Sequence, residues 1–316
     1  MRILRRLLTY LCLLAVLCAS AAAEEPGFPM LTEESFPADD VPESYLTPCD
    51  IPGRVEKLRY TTSDDTREVK SVMVYLPEGY DGSADSYNVL YIFHAASGSP
   101  KNYLDPDRAT PFQCLLDHMI AEGRLRPLIV VAATYYPTEG FTQFLPLARQ
   151  VEVVSAFPRE LAEDILPAVE AKYRAIPDRD HRAAAGFSLG GTAAWYVFLQ
   201  RMADFRWFLP ISEASWDDGA GGTSGIWDSD VSAQVLYDAV KNQGFGKDDF
   251  RLYVATGTED EAFDVSTKQM ISLLEYADLF KPGDNTSCSM MIGGTHTIHA
   301  MYTYLYHILP AGFAEG

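Results

Sequence analysis

The chain has 316 residues, with 44 acidic against 25 basic side chains, a formal charge of −19, and 47% hydrophobic residues. So much negative charge repels nucleic acid and anionic membranes, which excludes both as partners and favours a neutral or weakly charged substrate. The length suits one large α/β domain or two small ones, and there is no internal repeat.

The chain opens Met1-Arg2-Ile3-Leu4-Arg5-Arg6, runs apolar from Leu7 to Leu17, and reaches Ala19-Ser20-Ala21-Ala22-Ala23. Residues 1–23 therefore read as a secretory signal peptide, cleaved after Ala21 or Ala23. Its apolar stretch is short for a membrane span, nothing later in the sequence could span one, and Leu17 stands before Cys18 where a lipoprotein signal carries a small residue. The expectation is a freely secreted, extracellular protein. Cleavage removes three arginines and no acid, taking the charge to near −22. Of the five cysteines, Cys49, Cys114 and Cys288 remain, too few for a disulfide framework. Cys114 falls in a helical pattern and Cys288 in a strand pattern, where a free cysteine behaves as a small apolar residue; whether Cys49 pairs is left open.

Residues 24–52 carry six prolines among acids and serines and read as an extended leader that lies on or tethers the domain, which occupies 53–316. Strands are predicted at 55–62, 69–76, 88–93, 128–133, 182–187, 207–211, 251–256 and 288–292. The first two suit a hairpin, and the later ones are continuous apolar runs. Helical periodicity covers 112–122, 157–173, 190–203, 231–242, 266–279 and 298–309. This alternation predicts an α/β-hydrolase fold, a mostly parallel central sheet of about eight strands with helices on both faces and no separate cap domain.

After the fifth predicted strand comes Gly186-Phe187-Ser188-Leu189-Gly190-Gly191, followed by a helical run. A serine in a sharp strand-to-helix turn takes strained backbone angles and needs glycine on both sides, so Ser188 reads as a catalytic nucleophile. The helix N-terminus beneath it favours the negative charge that develops in acyl transfer. A serine hydroxyl needs a histidine base and a carboxylate to orient it. Downstream of Ser188 stand His296, His299 and His307; His296 follows a predicted strand on a loop, where the base belongs, whereas the others fall in or against the last helix. The acid belongs to Thr258-Glu259-Asp260-Glu261 after strand 251–256, and position alone separates Glu259, Asp260, Glu261 and Asp264 weakly. Oxyanion donors are expected from the N–H of Leu189 and from the loop His94-Ala95-Ala96-Ser97-Gly98, at Ala95, with His94 buttressing that loop. In the Gly-rich segment 213–227, Trp216 and Trp227 can stack on a sugar or phenolic ring, or pin the loop to the core.

From about Val55 to Phe313 the chain resembles the feruloyl esterase domains attached to bacterial xylanases, within the family one carbohydrate esterases and the wider esterase D superfamily. The resemblance rests on Tyr87-Asn88-Val89-Leu90-Tyr91, Leu115-Leu116-Asp117-His118, Pro127-Leu128-Ile129-Val130-Val131, the Ser188 elbow with Trp195-Tyr196, Ala255-Thr256-Gly257-Thr258-Glu259-Asp260 and Gly294-Thr295-His296. It implies a triad of Ser188, Asp260 and His296, with Trp216 near the substrate pocket. It also implies a serine esterase that works through an acyl-enzyme without metal or cofactor, on ester-decorated polysaccharide such as xylan, feruloyl first and acetyl second. Acyl transfer to a sugar hydroxyl, as in the mycolyl transferases of the same superfamily, and carbohydrate binding without turnover are the alternatives. Two departures lie beside the acyl pocket: Thr297-Ile298-His299 where the family often has aromatics, and His94-Ala95-Ala96 where it usually has His-Gly-Gly.

Overall fold

Alternate residues of the central strands face opposite sides of one sheet, and both sides are apolar. Val89, Tyr91 and Phe93 join one core and Leu90 and Ile92 the other, and Ile129, Val131 and Ala133 divide from Val130 and Ala132 in the same way. The computed structural model describes residues 36–37 and 40–312, so the signal segment and the start of the leader lie outside the described residues.

Nine strands form the sheet: β1 (Phe36–Pro37), β2 (Arg54–Thr61), β3 (Val69–Leu76), β4 (Val89–Phe93), β5 (Ile129–Ala133), β6 (Arg182–Phe187), β7 (Trp207–Ile211), β8 (Arg251–Gly257) and β9 (Thr286–Ile292). Their spatial order is β1-β9-β8-β7-β6-β4-β5-β3-β2. The β2/β3 hairpin is antiparallel and joins β5 antiparallel, while every other pairing is parallel. This is the α/β-hydrolase arrangement. The strand added to the eight predicted ones is β1, two residues that no hydrophobic pattern could reveal.

The helices are α1 (Pro111–Ala121), α2 (Leu147–Glu160), α3 (Leu166–Lys172), α4 (Leu189–Gln200), α5 (Ser229–Asn242), α6 (Phe263–Leu273) and α7 (Ile298–Gly312). Residues of α2 through α6 pack on one face of the sheet. On the other, α1 and α7 pack with Phe36, Val41 and Tyr45 of the leader. The helix expected at 157–173 begins ten residues earlier. Pro158 lies inside α2, and the chain widens into a π-helical turn at Leu161–Ile165 before α3. Cys49, Cys114 and Cys288 are all free thiols.

The chain runs from β5 back across β4 to form β6, so the direction of winding reverses between β4 and β6. Such a switch point opens a crevice at the carboxyl ends of the strands. Behind it, Asp117 of α1 ties the helix to the strand edge: its Oδ1 accepts the Gly53 N–H and the Tyr75 hydroxyl, both at 2.8 Å. All three groups are buried away from water, so each bond lost leaves an unsatisfied donor. Asp117→Ala is expected to lower the unfolding free energy by about 2–4 kcal/mol. Urea denaturation beside the wild type measures this.

Candidate active site

Ser188 sits between β6 and α4 with φ +57° and ψ −128°, a backbone conformation strained for a residue with a side chain. Its backbone is fixed from both directions, by the Ser188 N–H donating to Ile211 O at 3.0 Å and by the Thr192 N–H donating to Ser188 O at 3.1 Å. Glycine is required around it because the helix starts so close to the strands. A β-carbon on Gly186 would overlap the Gly190 carbonyl, and one on Gly190 would overlap the Phe93 and His94 carbonyls.

The Oγ of Ser188 lies 2.8 Å from His296 Nε2, and His296 Nδ1 lies 2.8 Å from Asp260 Oδ1. Nδ1–H donates to the carboxylate, which leaves Nε2 free to accept the serine hydroxyl. Of the four acids that sequence position separated weakly, Asp260 is buried whereas Glu259, Glu261 and Asp264 are exposed. Its Oδ1 also accepts the Ala262 N–H at 2.8 Å. The loops after β8 and β9 clasp each other through Thr258 N–H to Met291 O and Glu259 N–H to Gly294 O, both 2.9 Å, and Gly293 N–H to Thr258 Oγ1, 2.8 Å. Gly257 permits the clasp, since a β-carbon there would strike Gly294. Burial acts to lower the His296 pKa, but the hydrogen bond and charge of Asp260, with the charges of Glu261 and Glu213, carry it above the usual histidine value. The Phe187 ring closes the remaining side, 4.8 Å between centroids. His299 is exposed against Tyr302, and His307 stacks on Phe36.

Leu189 is the first residue of α4, so helix geometry gives its N–H no intrahelical acceptor. The contact of Gly190 with the Phe93 and His94 carbonyls brings the 94–98 loop beside that N–H. Three tyrosines that the sequence did not single out hold this loop. Tyr103 donates to Phe93 O at 3.3 Å, Tyr135 donates to His94 O at 2.9 Å, and Tyr136 Oη accepts the Ser97 N–H at 3.1 Å. His94 is buried beneath it, donating from Nδ1 to Ala95 O at 2.8 Å and accepting the Thr134 hydroxyl at Nε2, also at 2.8 Å. A carbonyl can only accept, which fixes the tautomer, and burial pushes the His94 pKa down to about 4. The loop is thus buttressed by a neutral imidazole. Among the described residues, no group of three or more His, Cys, Asp and Glu side chains converges as a metal site requires.

The two tryptophans of the segment after β7 differ in exposure. Trp216 is only 5% exposed and packs in the main core, which anchors the loop. The exposed ring is Trp227, at 77%. Between them the loop is organised around Asp218, whose carboxylate accepts N–H groups of Ala220 and Gly222 and the Ser224 hydroxyl at 2.8–2.9 Å. The Ala220 and Gly222 N–H bonds hold its pKa down to about 2.

Fold and site together define a carboxylic ester hydrolase of the α/β-hydrolase class. The chain belongs to the Putative esterase family, whose model matches residues 63–280. It is 28% identical over 308 residues, 93% of this chain, to endo-1,4-beta-xylanase Y of Acetivibrio thermocellus. It is 27% identical over 164 residues, 51% of this chain, to an endo-1,4-beta-xylanase/feruloyl esterase of Xylanibacter ruminicola. The chain spans 26% and 22% of the length of these two relatives. Among solved structures, the feruloyl esterase module of Clostridium thermocellum complexed with sinapinate matches with a TM-score of 0.74 and 27% identity, over 89% of this chain and 95% of that one. A ferulic acid esterase of Anaeromyces mucronatus shares the fold, with a TM-score of 0.66 and 20% identity over 85% and 95% of the chains.

The depressed pKa of His94 links the oxyanion loop to pH. The group is neutral in the fold, so its contribution is fully present above pH 6.5 and is lost as pH falls toward 4. Wild type is expected to lose roughly 2–3 kcal/mol through this group between pH 7 and pH 4.5. In His94→Gln that part of the pH dependence should vanish, as urea unfolding at the two pH values would reveal.

Proposed function

We propose that the chain is a secreted serine esterase that removes feruloyl groups from plant cell-wall polysaccharide such as xylan through an acyl-enzyme. The observation that carries this reading is the unbroken row of hydrogen bonds from Ser188 through His296 to Asp260 at a strained strand-to-helix turn. Ser188 Oγ attacks the ester carbonyl as its proton passes to His296 Nε2, and Asp260 holds Nδ1–H and stabilises the imidazolium. The carbonyl oxygen, now an oxyanion, takes the N–H groups of Leu189 and Ala95. His296 then protonates the departing sugar oxygen, which leaves as the alcohol. Water enters, gives a proton to Nε2 and attacks the acyl carbonyl, and collapse of the second tetrahedral intermediate returns that proton to Ser188 and frees the acid.

The substrate class is supported by the Xylanibacter ruminicola relative, whose name joins xylanase with feruloyl esterase, and by the module that holds sinapinate. Trp227, exposed on a loop at the carboxyl end of β7, offers an aromatic face to a sugar or phenolic ring. The basic and apolar start of the sequence supports secretion, where such polysaccharide is met.

The test is hydrolysis of methyl ferulate and of a short-chain p-nitrophenyl ester by residues 24–316, with a Ser188→Ala control. Both esters should be turned over, and the substitution should lower kcat at least about 10⁴-fold. Turnover of the short ester alone would move the substrate to acetyl groups. A folded protein inactive on both would overturn the hydrolase reading.

A further inference from the structure

The carboxyl ends of β7 and β8 lie side by side. Ile211 pairs with Ala255, and just beyond them the Ser212 N–H donates to Ala255 O at 2.7 Å. The end of β8 supplies Asp260. The end of β7 supplies Glu213, which the reaction derived above does not use.

Glu213 is held in place by two helices. Its carbonyl accepts the indole N–H of Trp195 from α4 at 3.3 Å and the hydroxyl of Ser266 from α6 at 2.9 Å. A β-carbon on Gly191, in the first turn of α4 below Ser188, would come within 3.3 Å of Glu213 Cβ. The side chain therefore stands in the wall behind the elbow. Its Oε1 accepts the Ala214 N–H at 3.1 Å, and its carboxyl feels the charges of His296 and Asp260. From the other direction, His296 faces Asp260 and Glu261 from the loop after β8, Glu213 from the loop after β7, and the uncharged Phe187 and Ser188 from β6 and its turn.

We propose that Glu213 is a positioning residue, a second carboxylate that shares with Asp260 the task of stabilising the charged form of His296 during acyl transfer. Asp260 does so through a hydrogen bond, and Glu213 through the electrostatic field of a half-buried carboxylate, where a charge acts more strongly than in open water. Burial pushes the Glu213 carboxyl up to about 7, against the Ala214 N–H, the Trp216 indole and the charge of His296, which pull it down, while Asp260 pushes it further up. The two charges act on each other, His296 favouring ionised Glu213 and Glu213 favouring protonated His296, so the two titrations are linked. Ionised Glu213 holds a proton on His296; protonated Glu213 leaves that work to Asp260 and the exposed Glu261.

The inference rests on His296 being the base, and the experiment keeps the two readings apart. His296 is titrated by NMR in ¹⁵N-histidine-labelled wild type and in Glu213→Gln, and the pH profile of kcat/KM on the p-nitrophenyl ester is recorded for both. Removing the carboxylate should lower the His296 pKa by about half a unit or more and move the acid limb of the profile to lower pH by the same amount, with kcat falling about 3- to 10-fold. Glu213→Asp should restore part of each effect. In an Asp260→Asn background, Glu213→Gln should cost a larger factor than it does alone, because the remaining carboxylate then works unaided. An unchanged His296 titration and an unchanged acid limb in a folded Glu213→Gln would overturn the proposal. Should that variant not fold, the Glu213 carboxyl is titrated by ¹³C NMR in wild type and in His296→Gln; loss of the histidine should raise the Glu213 pKa, and an unchanged value overturns the inference. An intact His296 shift in a protein that cleaves no ester would overturn the esterase reading and leave the coupling standing.

Discussion

The first turn of α4 approaches the ends of β4 and β6 so closely that no β-carbon fits at Gly186 or Gly190. That contact forces the chain to reverse within one residue, and the residue is Ser188, at φ +57°. The strain is compensated by the packing on either side: the small Ala184 is the β6 residue on this face and leaves room for the helix, whose side chains from Ala193 to Phe198 are buried. The same contact sets the electrostatics, because it points the free N–H groups of the helix start at the switch point between β4 and β6. The proposed nucleophile, the proposed oxyanion donors and the crevice thus follow from one backbone approach.

A second approach, between Gly257 and Gly294, brings the acid and the base together. Asp260 and His296 are 36 residues apart, and their loops are joined by backbone bonds, so the geometry depends little on side-chain packing. The surroundings of His296 are acidic even for this acidic protein, with Asp260, Glu261 and Glu213 all raising its proton affinity. A carboxylate at the end of each of two neighbouring strands shares the charge that forms on the base. One is bonded and the other acts at a distance, so the site does not rely on a single carboxylate.

The oxyanion loop shows how a departure from a family pattern is accommodated. Alanines at 95 and 96 restrict the backbone more than two glycines would, and the loop is fixed in return by Tyr103, Tyr135, Tyr136 and the neutral His94. A loop held this rigidly would keep the donor proposed at Ala95 in position before substrate arrives, which is what stabilising a developing oxyanion requires. The segment after β7 follows the same logic, with Asp218 gathering the backbone so that Trp216 anchors one end and Trp227 stands in solvent at the other.

The alternating apolar runs made the parallel sheet legible, because strands covered on both faces must be apolar throughout, and the glycine spacing around Ser188 made the elbow legible, because only that spacing permits the turn. His296 could be separated from His299 and His307 by its position after a strand. Other features left no local signal. β1 is two residues long, the early start of α2 is obscured by Pro158, and the exposed or buried state of Trp216 depends on core residues far from it in the chain. Glu213 was one acid among 44, and only the side-by-side ends of β7 and β8 turn it toward His296. The sequence by itself determined the fold class and the chemical type of the site, since periodicity and turn glycines act within a few residues. Tertiary structure alone decided which carboxylates surround the base and which aromatic faces solvent, because burial and charge coupling are set by neighbours that only folding brings together.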